Sequence, residues 1–403
     1  MSMLSRVTAP AADDELAAVV TALFSNPLRT APMVLTRGAA PETKPRVVGP
    51  TRLGMSAARI PWDYADRASQ DEIVGATSSG AEQKGAARSL YCPPAVRDDE
   101  PLGEEVNGRL VEWAEQVGIY PGQLDRVRTA NFGRLIMLTH PATDDPDRLL
   151  AAAKCILAEW ATDDHFLDEE SLGADPELIA SRLGIAYGAV DSVHLPVRYA
   201  PQLDRALSDE PVAVAYRSAF EHLACYATET QLARVHHELA VMFMAYNHEA
   251  NWRTTGRVPP VWEYLTHRFE NSFLPPMVLV DPIAGYEVPA FEFADRRVRR
   301  VFGIAGLASV ILNDVYSMAA ESDTDFDLPK VIAVEEHCSP EEAVARTVEI
   351  HNELMHTYEM EAGILSHLGS PALKRFLADI WAWLGGNREW HSTTGRYHNA
   401  ADA

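Results

Sequence analysis

The sequence predicts an all-α protein, a bundle of about a dozen helices around a central cavity, preceded by a leader that need not fold. Three observations carry this. From Asp98 onward apolar residues recur at helical spacing in nearly every segment. Strand signals are scarce, and the short apolar run Met277–Val280 is the one stretch that fits helix and strand alike. Nine prolines fall between Pro10 and Pro94, where pieces such as Gly38–Gly54 and Ala76–Ala87 consist mostly of Gly, Ala, Ser, Pro and charged residues. Such a composition buries too little apolar surface to offset the entropy of ordering.

Residues 1–100 form this leader, expected to be largely disordered. Within it Ala11–Phe24 places Leu16, Val19, Val20 and Leu23 at helical spacing behind Asp13 and Asp14. That is the form of a short docking helix, and equally of a transient helix with no partner. Pro61-Trp62-Asp63-Tyr64 is a second contact stretch. The helical domain, residues 101–400, follows. Asn107–Val117 is amphipathic through Leu110, Val111, Trp113 and Val117. Asp125–Leu138 and Asp147–Thr162 come next, separated by Pro141 and an Asp-Pro turn. Pro176–Ala189 opens on proline, which suits a first helical turn. Leu203–Leu207 is short, and Val212–Trp252 is the longest helical run, ended by Gly256 and Pro259. Pro260–Thr266 leads to Arg268, and Leu274-Pro275-Pro276 should break the helix that carries it. Asp295–Glu321, Pro340–Leu368 and Pro371–His391 complete the set.

Composition narrows the function. The chain has 403 residues, 47% of them apolar, enough for a large core plus an appendage. Net charge is 35 − 58 = −23, which argues against nucleic acid or an anionic membrane as partner. An acidic enzyme can act on an anion when cations intervene, so the charge favours a metal site. Cys92, Cys155, Cys225 and Cys338 are scattered without a CxxC pattern, as reduced thiols in a cytoplasm would be. Met1–Pro10 lacks a basic start and apolar core, and no apolar run reaches membrane length, so neither a signal peptide nor a membrane span is expected.

Two acidic stretches carry the chemistry. Asp163-Asp164-His165-Phe166-Leu167-Asp168 follows an apolar helix, with Asp168 one turn beyond the pair. Carboxylates late in a helix oppose its macrodipole, and like charges so close call for a cation. In Asn313-Asp314-Val315-Tyr316-Ser317-Met318-Ala319-Ala320-Glu321, positions 313, 317 and 321 stand at i, i+4 and i+8, on one helix face. An amide oxygen, a hydroxyl and a carboxylate form a hard oxygen set suited to Mg²⁺. The plainer alternatives are an acidic helix end and a polar stripe, both facing water.

These motifs resemble those of the class I terpene synthases. Asp163-Asp164-x-x-x-Asp168 resembles the family's aspartate-rich motif, and Asn313-Asp314-x-x-Ser317-x-x-x-Glu321 its second metal motif. Arg268-x-x-Asn271-Ser272 is similar to its diphosphate-sensing arginine, helix-break linker and effector, and Arg396-Tyr397 to its closing pair. The resemblance covers about Asp98 to His398. The stretches from Glu349 to His356 and from Trp383 to Trp390, with the proline-rich leader, are similar to the 2-methylisoborneol synthase branch. One departure is Ala320, where the family often has a lysine that touches diphosphate.

The resemblance implies a metal cluster of three Mg²⁺ ions held by Asp163, Asp168, Asn313, Ser317 and Glu321. Asp164 ligates too, or takes the sensing arginine on closure. Arg268, Arg396 and Tyr397 bind the diphosphate, with Asn271 and Ser272 at the helix break. Substrate would be a prenyl diphosphate, 2-methylgeranyl diphosphate for that branch, and the product 2-methylisoborneol. Trp160, Phe166, Phe273, Tyr316, Trp381 and Trp390 are the aromatic faces available to a carbocation, although for any single one of them an ordinary place in the core is the better reading. The resemblance further implies a homodimer, and a leader that addresses a protein nanocompartment shell as encapsulin cargo. Rival readings are a related mono- or sesquiterpene cyclase, a cyclase releasing a 2-methylenebornane-type hydrocarbon, a chain-elongating prenyltransferase, which would need a second aspartate-rich motif, and a non-catalytic cargo protein of the same fold. His236-His237-Glu238, His248-Glu249 and the pair His351 and His356 lack the spacing of a metal site.

Overall fold

The computed structural model describes residues 90–395 except 169–171, 173 and 319–325. Residues 1–89 of the expected leader, with the expected docking helix at 11–24 and the Pro61–Tyr64 stretch, lie outside the described residues. So do Glu321, Arg396 and Tyr397. Among the described residues the chain is all-helical, as the periodicity predicts.

The first helix, α1 (Glu100–Val117), starts earlier than expected, because the Asp99 carboxylate accepts the Leu102 N–H and Pro101 occupies the first turn. The expected helix at 125–138 is two, α2 (Leu124–Ala130) and α3 (Phe132–Thr139). Asn131 adopts a left-handed conformation between them, φ 52°, and its side chain accepts the Arg134 N–H at 3.1 Å. Asp145 and Pro146 open α4 (Pro146–Asp163), which runs into a π-helical turn at Asp164–Asp168. α5 (Ile179–Val190) begins three residues after the proline expected to open it, and α6 (Ala200–Asp209) is longer than expected.

The long run at 212–252 is likewise two helices, α7 (Pro211–Leu223) and α8 (Glu229–Thr255). No proline or glycine marks the break; a capping box does, with Thr228 and Gln231 each bonding the other's backbone N–H. α9 (Val261–Glu270) carries Arg268 and stops at Asn271–Phe273. The prolines 275 and 276 therefore open the short α10 (Leu274–Met277) instead of breaking α9. The ambiguous run 277–280 forms no strand: Met277 ends α10, Val278 and Leu279 make a turn, and Val280 opens α11 (Val280–Ile283); α12 (Ala290–Phe293) follows. α13 (Arg296–Ser317) carries Asn313 and Ser317 of the second motif, and α14 (Leu328–Glu336), α15 (Pro340–Leu368) and α16 (Pro371–His391) complete the bundle.

The core is one large apolar cluster built from α1, α3, α4, α7, α8, α13, α15 and α16. A smaller cluster of Trp252, Tyr264, Ile311, Leu328, Val331, Ile332 and Ala343 fixes α9 and α14 around α13. Residues 90–99, before the expected boundary near 100, already pack on this domain. Tyr91 stacks on His356 at 4.1 Å and donates to Glu359 at 2.7 Å, and Arg97 donates to the Met137 carbonyl at 2.8 Å.

Helices α1 and α3 approach closely through Gly133. A Cβ there would stand 2.5 Å from the Gly103 carbonyl oxygen and 2.6 Å from Asn107 Cα, both backbone atoms that cannot yield. Gly133→Ala should cost about 2–3 kcal/mol through overpacking and lower the melting temperature by several degrees; an unchanged melt would mean that the two helices stand further apart.

Candidate active site

The two motifs face one cavity. It measures about 670 Å³ and is lined on one wall by Glu159, Trp160, Asp163, Asp164 and Asp168, and on the other by Asn313 and Ser317. Arg268, Asn271, Ser272 and Phe273 close the side between them. The π-helical turn explains how the first wall forms. On an α-helix, residues five apart point to different faces, but i→i+5 bonding widens the turn and brings Asp168 back over Asp163.

The first wall is a crowd of like charges. Burial pushes the Asp163 carboxyl well above the usual carboxylate range, Asp168, Glu249 and Asp164 push it further, and Arg253 alone opposes. Asp168 is raised to about 6 by burial and by Glu249, against Arg253. A third of its side chain is open, 34%, so solvent screens part of this effect. Arg253 bridges Asp168 at 2.7 Å and Glu249 at 2.8 Å. Burial disfavours ionised Glu249, but His267, Arg253 and Arg268 outweigh it and hold its pKa at about 2. Asp164 points differently: it accepts from the Tyr120 hydroxyl at 2.5 Å and lies 3.6 Å from Arg126.

On the second wall Asn313 accepts from Arg268 at 3.3 Å and lies 3.1 Å from His391 Nε2. Arg268 forms a buried ion pair with Asp314 instead of Asp164, because Asp314 stands beside it on α13. Tyr264 donates to Asp314 at 3.1 Å and the Leu328 N–H at 3.2 Å, so the pair rests on the smaller core cluster. The Nε of Arg268 is buried and donates to nothing. It is an unmet donor in a residue that lines the cavity, in a guanidinium of the kind that binds anions.

Gly306 on α13 lets the break after α9 approach. A Cβ there would meet Leu274 at 2.6 Å and the Ser272 hydroxyl at 3.0 Å.

Of the six aromatic residues singled out above, Trp160 and Phe273 line the cavity, with ring centroids 5.6 Å apart. The other four do not line it. The π-helical turn directs Phe166 toward α5, under the Arg182 guanidinium at 4.0 Å. Tyr316, three residues past Asn313, turns toward His391 at 5.9 Å. Trp390 is fully buried behind Trp160, 6.0 Å away, and donates to the Ala130 carbonyl. Trp381 stacks on Tyr358 at 5.9 Å, on the face that carries Tyr91.

Sequence reasoning missed Glu159, Arg126, Tyr246, Arg253 and the Arg268–Asp314 pair. Glu159 lies one turn before Asp163 and was legible by spacing; Arg253 and Tyr246, on α8, carry no local signal. Among the described residues no group of three His, Cys, Asp or Glu side chains stands in metal-binding geometry. The oxygen donors are instead split across the cavity, and two of them are Asn and Ser. Their chemistry fits Mg²⁺, which leans on substrate oxygens for much of its shell, and the crowding on the first wall calls for a cation.

An all-helical bundle with two oxygen-bearing walls and an arginine between them defines a class I terpene synthase, and the chain belongs to that family. The model for "terpene synthase family 2, C-terminal metal binding" matches residues 154–357, and so spans both walls. The chain is 37% identical to the 2-methylisoborneol synthase of Saccharopolyspora erythraea, over 76% of this chain and 89% of that one. To the 2-methylisoborneol synthase of Streptomyces lasalocidi it is 36% identical, over 87% of this chain and 73% of that one. The crystal structure of 2-methylisoborneol synthase from Streptomyces coelicolor A3(2) in complex with Mg²⁺ and 2-fluoroneryl diphosphate superposes with a TM-score of 0.72 at 35% identity, covering 78% of this chain and 98% of that one.

The buried pair makes a prediction. Asp314→Ala strips Arg268 of its counter-ion and should destabilise the protein by about 3–5 kcal/mol, although Asp314 is outside the cavity lining; a melt within a degree of wild type would contradict the pairing.

Proposed function

We propose that the chain is a Mg²⁺-dependent terpene cyclase that ionises 2-methylgeranyl diphosphate, cyclises the cation to 2-methylisoborneol and releases diphosphate. The observation that carries this is the shared cavity: Asp163 and Asp168 face it from one wall, Asn313 and Ser317 from the other. The names of the relatives supply the substrate branch.

On this reading Asp163, Asp164 and Asp168 hold metal on the first wall and Asn313, Ser317 and Glu321 on the second, for three Mg²⁺ ions in all. Bound Mg²⁺ supplies positive field that takes up charge as the allylic C–O bond breaks. Arg268 turns its vacant Nε and its fork to diphosphate oxygens, a geometry guanidinium matches bidentately. Arg396 and Tyr397 join it from the C-terminal end, where the preceding Gly395 lines the cavity. Asn271 and Ser272 present the helix break to the reacting end of the substrate. Trp160 and Phe273 turn ring faces to the cation, which stabilise it without attacking it, and exclude water.

Four free cysteines among the described residues fit a reducing cytoplasm, and no described helix is long and apolar enough to cross a membrane. We further propose a homodimer whose leader docks on a protein compartment shell, with the catalytic domain starting near residue 90.

The test is gas chromatography of products from geranyl, 2-methylgeranyl and farnesyl diphosphates, with and without Mg²⁺. Volatile product should require metal and be greatest from the methylated substrate; Asp163→Ala and Asn313→Ala should each lose about a hundredfold or more in rate. Mg²⁺ should also raise the melting temperature of wild type but not of Asp163→Ala. Equal product without metal, or none from any of the three substrates, would end the reading. Deleting residues 1–84 should leave turnover intact, whereas deleting 1–99 also removes Tyr91 and Arg97 and should lower the melting temperature; loss of turnover in the shorter deletion would place the leader inside the catalytic fold.

A further inference from the structure

One ionisable side chain on the first wall serves neither as a proposed metal ligand nor as a proposed diphosphate contact. Glu159 sits on α4 one helical turn before Asp163, about 6 Å further back along the axis. Its side chain is 6% exposed, and its Oε1 is buried without a hydrogen-bond partner. Asp163 and its neighbours do not drive its ionisation. Burial alone pushes its carboxyl well above the usual range, which favours the protonated form, with one donor and spare acceptor capacity.

The Tyr216 hydroxyl accepts from Thr162 at 2.9 Å and lies outside the cavity lining. Tyr246, on α8, lines the same cavity, and Glu159 acts on its ionisation. A buried carboxyl oxygen with no partner is costly. Where a site is polar and roomy, an ordered water is the usual remedy, held by two or more such groups.

We propose that Glu159 and Tyr246 hold a water molecule in this part of the cavity, and that Glu159 is the positioning residue that delivers this water to the final carbocation. The inference rests on the cyclase reading above and adds the quench to it. In the capture, a lone pair of the water oxygen forms a C–O bond to the cationic carbon. One O–H bond of that water then breaks, and its proton passes to the released diphosphate. Without the water, a C–H bond beside the cationic carbon breaks instead, its electron pair becomes a C=C bond, and the diphosphate again takes the proton. The first route gives an alcohol, the second a hydrocarbon.

The experiment compares full-length wild type, Glu159→Gln, Glu159→Leu and Tyr246→Phe with 2-methylgeranyl diphosphate and Mg²⁺. It reads the alcohol-to-hydrocarbon ratio per diphosphate released, with a thermal melt to verify folding. Glu159→Leu, of similar size but with no polar atom, should lower the ratio about tenfold or more, the size expected from losing a hydrogen bond to the nucleophile. Tyr246→Phe should lower it in the same direction, and Glu159→Gln, which still donates and accepts, should stay near wild type. A purely structural role would move the melt and the turnover without moving this ratio. An unchanged ratio in Glu159→Leu overturns the proposal, as does an equal fall in Glu159→Gln, a loss of diphosphate release in every variant, or a wild type that yields hydrocarbon alone. If Glu159→Leu does not fold, an unchanged ratio in Tyr246→Phe overturns it by itself. A wild type that releases no diphosphate is a different failure, of the cyclase reading itself, and would be seen before any variant is compared.

Discussion

Everything in this molecule answers to one electrostatic constraint: several carboxylates are gathered on one side of a buried hollow, with too few cations of the protein's own to balance them. Asp163, Asp168 and Glu249 meet there, and Arg253 bridges two of the three. Such a crowd is unfavourable in a low-dielectric site unless a proton or a metal relieves it. A fold selected for stability alone would not assemble it. The bundle supports it by placing the group at the end of α4, where the π-helical turn folds Asp168 back over Asp163, and by rooting Arg253 and Glu249 one turn apart on α8. Stability comes from elsewhere, from the apolar cluster beneath and from the close contact of α1 with α3.

The opposite wall solves a different problem. Arg268 must be charged and held in place, yet keep donors for an anion. Asp314 supplies the buried counter-charge, Tyr264 and the Leu328 N–H satisfy its second oxygen, and the Nε of Arg268 is left over. The residue next to Asn313 in sequence thus serves the arginine and not the cavity.

Helix content, the two motifs and the cavity they share were legible in the sequence because each depends on local spacing. Positions 313 and 317 share a face on any α-helix, so their pairing needed no coordinates. What was not legible depended on capping and on long-range neighbours. The divisions at Asn131 and Thr228 turn on side-chain caps inside stretches that read as continuous helix. The aromatic residues show the limit more sharply. Trp160, Phe273, Trp381 and Trp390 look alike in sequence, but two face the cavity and two face protein, because the backbone at each position commits its side chain to one direction and the neighbouring helices decide what lies there. Glu159 was within reach of spacing, one turn before Asp163, but a glutamate among alanines on a helix is ordinary, and its burial is what sets it apart.

The division between polar wall and apolar hollow also explains how one architecture serves many products. Breaking the allylic bond depends on charge placement, which is long-ranged and set by a few oxygen and nitrogen atoms on rigid helices. The fate of the cation depends on contour and on isolated polar atoms, since one methylene in an apolar pocket shifts specificity by only about 1–3 kcal/mol. A carbocation meeting Trp160 and Phe273 finds nothing to bond to; one meeting a held water finds a nucleophile. The polar atoms most consequential for the product are therefore those that neither metal nor diphosphate occupies. In such a hollow a single carboxyl without a partner outweighs a larger set of apolar contacts in deciding what leaves.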